Sequence, residues 1–335
     1  MMNLHRLHKT FGTTEILKGI DLDIEEGEFV TLLGQSGCGK STLLRIIAGL
    51  ERAGCGQLSY NGTVLDEPQR GHFVPTQARQ FGFVFQDHAL WPHLTIDENI
   101  AFPLRSYGWA KNDIAPRVAE VLAQVQMSAH AGKYPRQLSG GQRQRVGIAR
   151  ALALSPKVIL LDEPLASLDS NLRDDLGHEI RNLAKQFGLT CINVTHDRRE
   201  AQILSDRIAV MADGQIQQVG TPLDIFTRPT TVETARFVNA GNIVPRAFFE
   251  THDSLATGID AQADWLLVPR NAVQFTRERA DHPARLQDMV FIDGRFEIKV
   301  EVKGQSLTFF SETKPPVTED MGVTILPDHV VPLRA

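Results

Sequence analysis

The segment Gly34-Gln35-Ser36-Gly37-Cys38-Gly39-Lys40-Ser41-Thr42 restricts this chain to few folds. It fits the pattern G-x-x-x-x-G-K-[ST] and follows the apolar run Phe29-Val30-Thr31-Leu32-Leu33. Leu43-Leu44-Arg45-Ile46-Ile47-Ala48 continues it at helical spacing. Strand, glycine loop and helix in that order make a phosphate cradle. The glycines let the backbone curl so that successive N–H groups face one anion. The helix adds the positive end of its dipole. Lys40 then supplies a full charge to the outer phosphates, and the Ser41 hydroxyl is placed to ligate Mg²⁺. The segment implies a nucleotide site.

Further polar residues fall where apolar strands end. Val158-Ile159-Leu160-Leu161 runs into Asp162-Glu163, Phe81–Phe85 into Gln86, and Thr190–Thr195 into His196-Asp197. Near-continuous apolar runs suit a parallel sheet buried on both faces, and ligands of such sheets bind at the carboxyl ends of the strands. Gln86, Asp162, Glu163 and His196 are therefore expected to converge on the outer phosphate. Asp162 is placed to hold Mg²⁺ opposite Ser41. Glu163, pointing to the other side of its strand, is placed to polarise an attacking water. This combination favours a nucleotide-hydrolysing enzyme, a chemistry of positioning and charge neutralisation.

Strand and helix patterns alternate as far as residue 219, which predicts an α/β class with a mostly parallel sheet. Residues 3–9 and 15–24 read as strands, with Phe11-Gly12 at the turn between them, and Glu26-Gly27 turns into the phosphate-loop strand. Asn61-Gly62 marks a hairpin between Gln57–Tyr60 and Thr63–Leu65, and Asp213-Gly214 marks another. Residues 97–157 carry helical periodicity, with Val118, Val121, Leu122 and Val125 on one face. Ser170 is expected to cap a helix with Leu172, Leu176, Ile180, Leu183 and Phe187 on its buried face and Gly188 as its stop. After a helical connector over 220–241, short alternating strands predict a small β barrel or sandwich. A domain boundary is expected between 240 and 241.

Leu138-Ser139-Gly140-Gly141-Gln142 opens a helix with two glycines. It is either a plain glycine N-cap or a second anion-binding N-terminus, which would take a nucleotide held by another molecule. Cys38, Cys55 and Cys191 form no C-x-x-C pair, so neither a zinc site nor a disulfide framework is expected, and Cys38 reads as a small loop filler. Hydrophobic residues make up 42% and charged residues 22% of 335, ordinary for a globular protein. The formal charge of −5 gives no reason to expect nucleic acid. No apolar run approaches the roughly 18 residues that span a bilayer, and the N-terminus lacks a secretory core, so a cytoplasmic chain is expected.

The order of phosphate loop, Gln86, Leu138–Gln142, Ile159-Leu160-Leu161-Asp162-Glu163-Pro164, Ser167-Leu168-Asp169 and His196 resembles the ATP-binding cassette (ABC) ATPases, and within them the subunits of bacterial solute importers. The resemblance covers residues 1 to about 240, and the tail resembles the OB-like TOBE domain of that group. It implies a P-loop cassette with a RecA-like core, an antiparallel β subdomain and a helical subdomain at about 87–157, followed by a small OB-like β domain over 241–335. Phe11 would stack on adenine with Ile16 beside it, and Gly34 to Thr42 would cradle the phosphates. Ser41 and Gln86 would ligate Mg²⁺, Glu163 would be the general base and His196 the γ-phosphate switch. Ser139, Gly140, Gly141 and Gln142 would reach the ATP of an opposite subunit, and Asp169 would link the two sites of a homodimer. The loop 87–95 would touch a permease at the cytoplasmic face of the inner membrane.

The implied partners are two permease subunits and, indirectly, an extracytoplasmic solute-binding protein. The implied cargo group is ferric iron first, then polyamine or phosphonate. One departure is Arg198-Arg199 before Glu200-Ala201, where many importers carry an acidic or neutral pair; it reads as an exposed basic helix start. The rival reading, a soluble ABC ATPase serving DNA, ribosomes or Fe–S assembly, is disfavoured. The stretch between Thr42 and Leu138 lacks the sustained heptads of a long coiled coil, and the chain holds one cassette rather than two. A further reading makes the tail a regulatory binding module.

Overall fold

A computed structural model of the chain describes residues 1–87, 89–249, 263–276, 282–315 and 322–334. The chain divides into two compact units, Met1–Pro222 and Leu223–Ala335.

The first unit opens with β1 (Met2–Phe11) and β2 (Thr14–Ile24), an antiparallel pair turning at Gly12. Next come the phosphate-loop strand β3 (Phe29–Gly34) and α1 (Lys40–Ala48). The Asn61-Gly62 hairpin is present between β4 (Cys55–Tyr60) and β5 (Thr63–Glu67), and β6 (His72–Phe73) extends it. Together they form an antiparallel sheet in the order β2-β1-β4-β5-β6. After the short α2 (Thr76–Arg79) and strand β7 (Gly82–Val84), the helical stretch resolves into α3 (Ile96–Ser106), α4 (Lys111–Gln124) and α5 (Gly140–Leu152). The predicted face of α4 is the buried one: Val118, Val121 and Leu122 pack with Ile100 and Leu104 of α3 and Ile148 of α5.

The rest of the unit alternates β8 (Val158–Asp162), α6 (Ser170–Phe187), β9 (Thr190–Thr195), α7 (Arg198–Leu204), β10 (Arg207–Ala212) and β11 (Gln215–Gly220). Strands β10, β3, β9, β8 and β7 pair in parallel and β11 closes one edge antiparallel. Every residue of β3, β8 and β9 is buried, because the sheet is covered on both faces. All five parallel strands finish on one edge, and that edge collects the candidate site.

Asp169, not Ser170, caps α6: its carboxylate accepts from the Leu172 amide at 3.0 Å, and Ser170 is the first helical residue. Either residue type suits the position; the extended backbone of Asp169 (φ −66°, ψ 162°) decides it.

In the second unit, α8 (Pro222–Thr227) leads to α9 (Val232–Val238), which buries Val232 and Ala235 against Leu267 and Leu333. Nearly all of the helical connector thus packs with the tail, and the division falls at 222/223 where the texture of the sequence suggested 240/241. The tail is all β among the described residues. It contains β12 (Gly241–Pro245), β13 (Trp265–Pro269), β14 (Val273–Thr276), β15 (His282–Pro283), β16 (Arg285–Ile292), β17 (Arg295–Val302), β18 (Gln305–Ser311), β19 (Gly322–Ile325) and β20 (Val331–Leu333). These form three antiparallel three-stranded sheets around Val268, Ile298, Val300, Leu307, Phe309 and Val323, consistent with an OB-like domain.

Candidate functional site

The loop between β3 and α1 needs glycine for two separate reasons. At Gly34 a Cβ would sit 2.2 Å from the Met211 carbonyl oxygen of β10, so neighbouring strands close over it. At Gly39 φ is +103°, and a Cβ would lie 2.8 Å from Leu17 Cδ2. Gln35, Ser36 and Gly37 are exposed at the crest, whereas Lys40 is only 4% exposed. Its ammonium donates to the carbonyl oxygens of Gly34 and Gln35, both at 2.8 Å. Neutral acceptors therefore hold a full positive charge inside the loop, directed at what the crest encloses. Cys38 is buried in the apolar cluster beneath, as expected of a filler.

Ser41, in the first turn of α1, donates to Asp162 Oδ1 at 3.1 Å. Asp162 is 8% exposed and has no salt-bridge partner among the described residues. Burial raises its pKa above the ordinary carboxylate value, only partly offset by the Ser41 hydroxyl and the positive charge of Arg45. A hard dication beside Ser41 and Asp162 would supply the missing compensation, so this oxygen pair fits Mg²⁺.

Strand β8 stops at Asp162 because Glu163 turns into the left-handed region (φ +47°), its amide donating to Val194 O of β9 at 2.9 Å. A non-glycine residue in this conformation is strained, and such strain gathers at working sites. The turn brings Glu163 between two partners. The Gln86 amide nitrogen donates to Oε2 at 3.3 Å, and His196 Nδ1 shares a proton with Oε1 at 3.2 Å. Three of the four strand-end residues expected to converge, Gln86, Glu163 and His196, are joined, and Asp162 precedes Glu163 on the strand and bonds Ser41. With its nitrogen on Glu163, the Gln86 amide makes no hydrogen bond through its carbonyl oxygen among the described residues, and that oxygen would suit a cation.

The Leu138–Gln142 turn is built as a capping box. The Ser139 Oγ accepts from the Gln142 amide at 3.3 Å, and the Gln142 side chain accepts from the Ser139 amide at 3.0 Å. The cap is thus Ser139 rather than a glycine. Gly140 and Gly141 occupy the first turn of α5, where a Cβ would press on Leu168 Cδ2 at 3.2 Å and Leu172 Cδ2 at 3.0 Å. The glycines let α5 close onto the start of α6, beside Asp169.

Against known proteins, the family model described as ABC transporter matches residues 17–166. The spermidine/putrescine import ATP-binding protein PotA of Nitratidesulfovibrio vulgaris is 45% identical over 75% of this chain and 67% of its own length. PotA of Thermotoga maritima is 46% identical over 75% and 67%. The Fe(3+) ions import ATP-binding protein FbpC 2 of Rhizobium meliloti is 48% identical over 68% of this chain and 56% of its own. Among solved structures, a dimeric post-hydrolysis state of the ATP-binding cassette MJ0796 bound to ADP and Pi superposes with TM-score 0.57. It is 35% identical and covers 66% of this chain and 99% of that one. The chain belongs to the ABC transporter ATP-binding subunits. It is an ATPase, and its nucleotide is ATP.

Phe11 and Ile16, expected at the adenine, lie on the paired strands β1 and β2. Phe11 ends β1 with its ring 48% exposed and the Lys9 ammonium 4.8 Å from the centroid. Ile16 in β2 lies against the phosphate loop, its carbonyl oxygen 3.0 Å from where a Gly39 Cβ would be. In the loop 87–95, His88 lies outside the described residues. The remainder is tied down by Asn99, fully buried, which bonds the Trp91 amide at 2.8 Å and the carbonyl oxygens of Trp91 and Leu94 at 3.2 Å each.

Residue chemistry missed the support behind His196. Asp197 caps α7 by accepting from the Arg199 and Glu200 amides, and also pairs with Arg173 of α6. Arg199 grips Asp174 with Nε at 2.8 and 2.7 Å from its oxygens, so the expected basic helix start is one half of a clamp between α6 and α7. Glu200 is 2% exposed, and its Oε1 accepts from Asn193 of β9 at 2.9 Å. Only the i, i+7 spacing of Asn193 and Glu200 hints at this bond, and no periodicity rule reads it.

Proposed function

We propose that this ATPase drives import of a small solute, closing as a head-to-tail homodimer on two ATP molecules and passing the motion to two permease subunits. The observation that carries the hydrolytic part is the Gln86–Glu163–His196 convergence beside Ser41–Asp162. Glu163 takes a proton from the attacking water while His196 and Gln86 hold its two oxygens in place; a positioned base contributes about 10²–10⁴-fold in rate. Gly34 to Thr42 cradles the phosphates, with Lys40 neutralising the outer ones. Ser41, Asp162 and Gln86 would hold Mg²⁺, which would offset charge on the phosphate oxygens. Phe11 and Ile16 receive the adenine. Ser139, Gly140, Gly141 and Gln142 face the partner's ATP, and Asp169 connects the two sites. The MJ0796 likeness, itself dimeric, supports that arrangement.

The permease surface is the loop after Gln86 together with α3; Phe102 of α3, Phe85 just before the loop, and Tyr107 and Trp109 just past α3 are exposed large apolar side chains. Among the described residues no helix is long and apolar enough to cross a membrane. The permease is a separate chain in this reading, and the subunit works at its cytoplasmic face. An extracytoplasmic binding protein would deliver the solute. The PotA relatives favour a polyamine, and the FbpC 2 relative keeps ferric iron as the second reading.

The test is gentle-detergent purification of the tagged chain from its own membranes, with uptake of labelled spermidine and of ferric iron by cells with and without it. Recovery of a polytopic permease and loss of one uptake support the reading and choose the cargo. Recovery with ribosomes or DNA, and no permease, would refute transport.

A further inference from the structure

The β-rich unit holds a cavity of about 590 Å³ whose lining includes no residue of the nucleotide site. Its wall carries Arg228, Arg270, Arg295, Phe310, Asp328 and His329. Arg270 follows β13, Arg295 opens β17 after the Asp293-Gly294 turn, and Phe310 lies in β18. Separate segments thus bring cationic side chains to one hollow. The Arg295 guanidinium lies over the Phe310 ring, its carbon 3.7 Å from the centroid, and that of Arg270 is 5.4 Å from the same centroid. The ring faces offset only part of the repulsion between two like charges.

Arg270 carries the second sign. One of its terminal nitrogens donates to Asn239 Oδ1 at 2.9 Å, but its Nε is shut off from solvent with no acceptor among the described residues. Buried donors in folded proteins are almost always paired, so this guanidinium is under-satisfied where it stands. Among the lining side chains Arg270 and Arg295 outnumber Asp328, in a chain whose formal charge is −5. Guanidinium forks match the two-oxygen edge of a carboxylate or phosphate. The volume falls in the range of about 300–1,000 Å³ typical of small-molecule sites, too large for a bare inorganic ion, and Phe310 adds an apolar wall.

We infer that this cavity binds a small organic anion bearing carboxylate or phosphate groups. Arg270 and Arg295 grip the anionic group, and Phe310 packs against its carbon skeleton. Both arginines belong to the tail, so the tail is a ligand-binding module rather than padding.

The test is isothermal titration of the full chain with citrate, glycerol 3-phosphate and inorganic phosphate, each to millimolar concentration. Citrate or glycerol 3-phosphate should bind, and whichever binds tells carboxylate from phosphate chemistry. Arg270→Gln and Arg295→Gln should each weaken it by about tenfold or more, the usual cost of losing a charged hydrogen bond. Lys40→Ala, which disarms the phosphate loop, should leave it intact. Arg295 is exposed, so its variant should fold, and unchanged ATP hydrolysis by both arginine variants checks the first unit. No binding of any probe overturns the proposal. So does binding of inorganic phosphate alone, or binding that survives both arginine changes and disappears with Lys40→Ala.

Discussion

Glu200→Gln should make the chain more stable at alkaline pH and leave it nearly unchanged in acid. Glu200 is 2% exposed, and burial raises its pKa from 4.5 to about 7, with hydrogen bonds from Asn193 and Thr195 opposing the rise and the charge of Asp197 adding to it. A carboxyl group whose folded pKa is raised binds its proton more tightly when folded. Its contribution is therefore fully present below pH 4.5 and lost as pH climbs through 7. The full swing is about 3 kcal/mol at about 1.4 kcal/mol per pKa unit, and about 2 kcal/mol of it falls between pH 5.5 and 8.5. Glutamine keeps the oxygen that accepts from Asn193 and never ionises. Urea unfolding of both proteins at pH 5.5 and 8.5 should show the variant's advantage growing by about 2 kcal/mol across that interval. An advantage that does not change with pH, or a variant less stable than wild type at pH 8.5, would mean that Glu200 is ionised and paired, refuting the reasoning.

Gly39→Ala should weaken ATP binding at least tenfold, because the left-handed backbone costs a side chain about 1–2 kcal/mol and the new methyl meets Leu17; nucleotide titration checks it, and unchanged affinity would clear the loop of that constraint. Arg79→Met should destabilise the first unit by about 3 kcal/mol. The Arg79 guanidinium, 6% exposed, donates to Ile46 O and Ile47 O at 2.7 Å and to Val74 O at 2.8 Å, and so satisfies the end of α1. A denaturation midpoint equal to wild type would show that water replaces it. Asp169→Ala should cost about 1 kcal/mol through loss of the α6 cap, whatever its role across a dimer, and a monomer's thermal midpoint reads that cost without ATP.

The elements that place the site were legible because each rests on a local rule. Apolar runs predicted β3, β8 and β9, and glycine spacing predicted the loop. The α6 cap was misplaced by one residue, since Asp169 and Ser170 are both good caps and only tertiary packing fixes which backbone stays extended. β12, β14, β15 and β20 gave no signal, being short strands whose partners lie far along the sequence. The supports of His196 were equally silent: the Arg173–Asp197 and Arg199–Asp174 pairs join α6 to α7, and no spacing within either helix reports the other. The Leu138–Gln142 turn was the reverse case. Its capping box and glycine contacts are explained within one chain, so only the family relation directs it at a second nucleotide.

The central claim is that hydrolysis runs through Glu163, and Glu163→Gln tests it most directly. Glutamine keeps the shape and the contacts to Gln86 and His196 but cannot accept the proton. Single-turnover hydrolysis by the purified variant should fall by about 10²-fold or more, while ATP binding persists and an ATP-dependent dimer becomes stable enough to isolate. Hydrolysis at a near wild-type rate would contradict the account and send the search for the base elsewhere in the site.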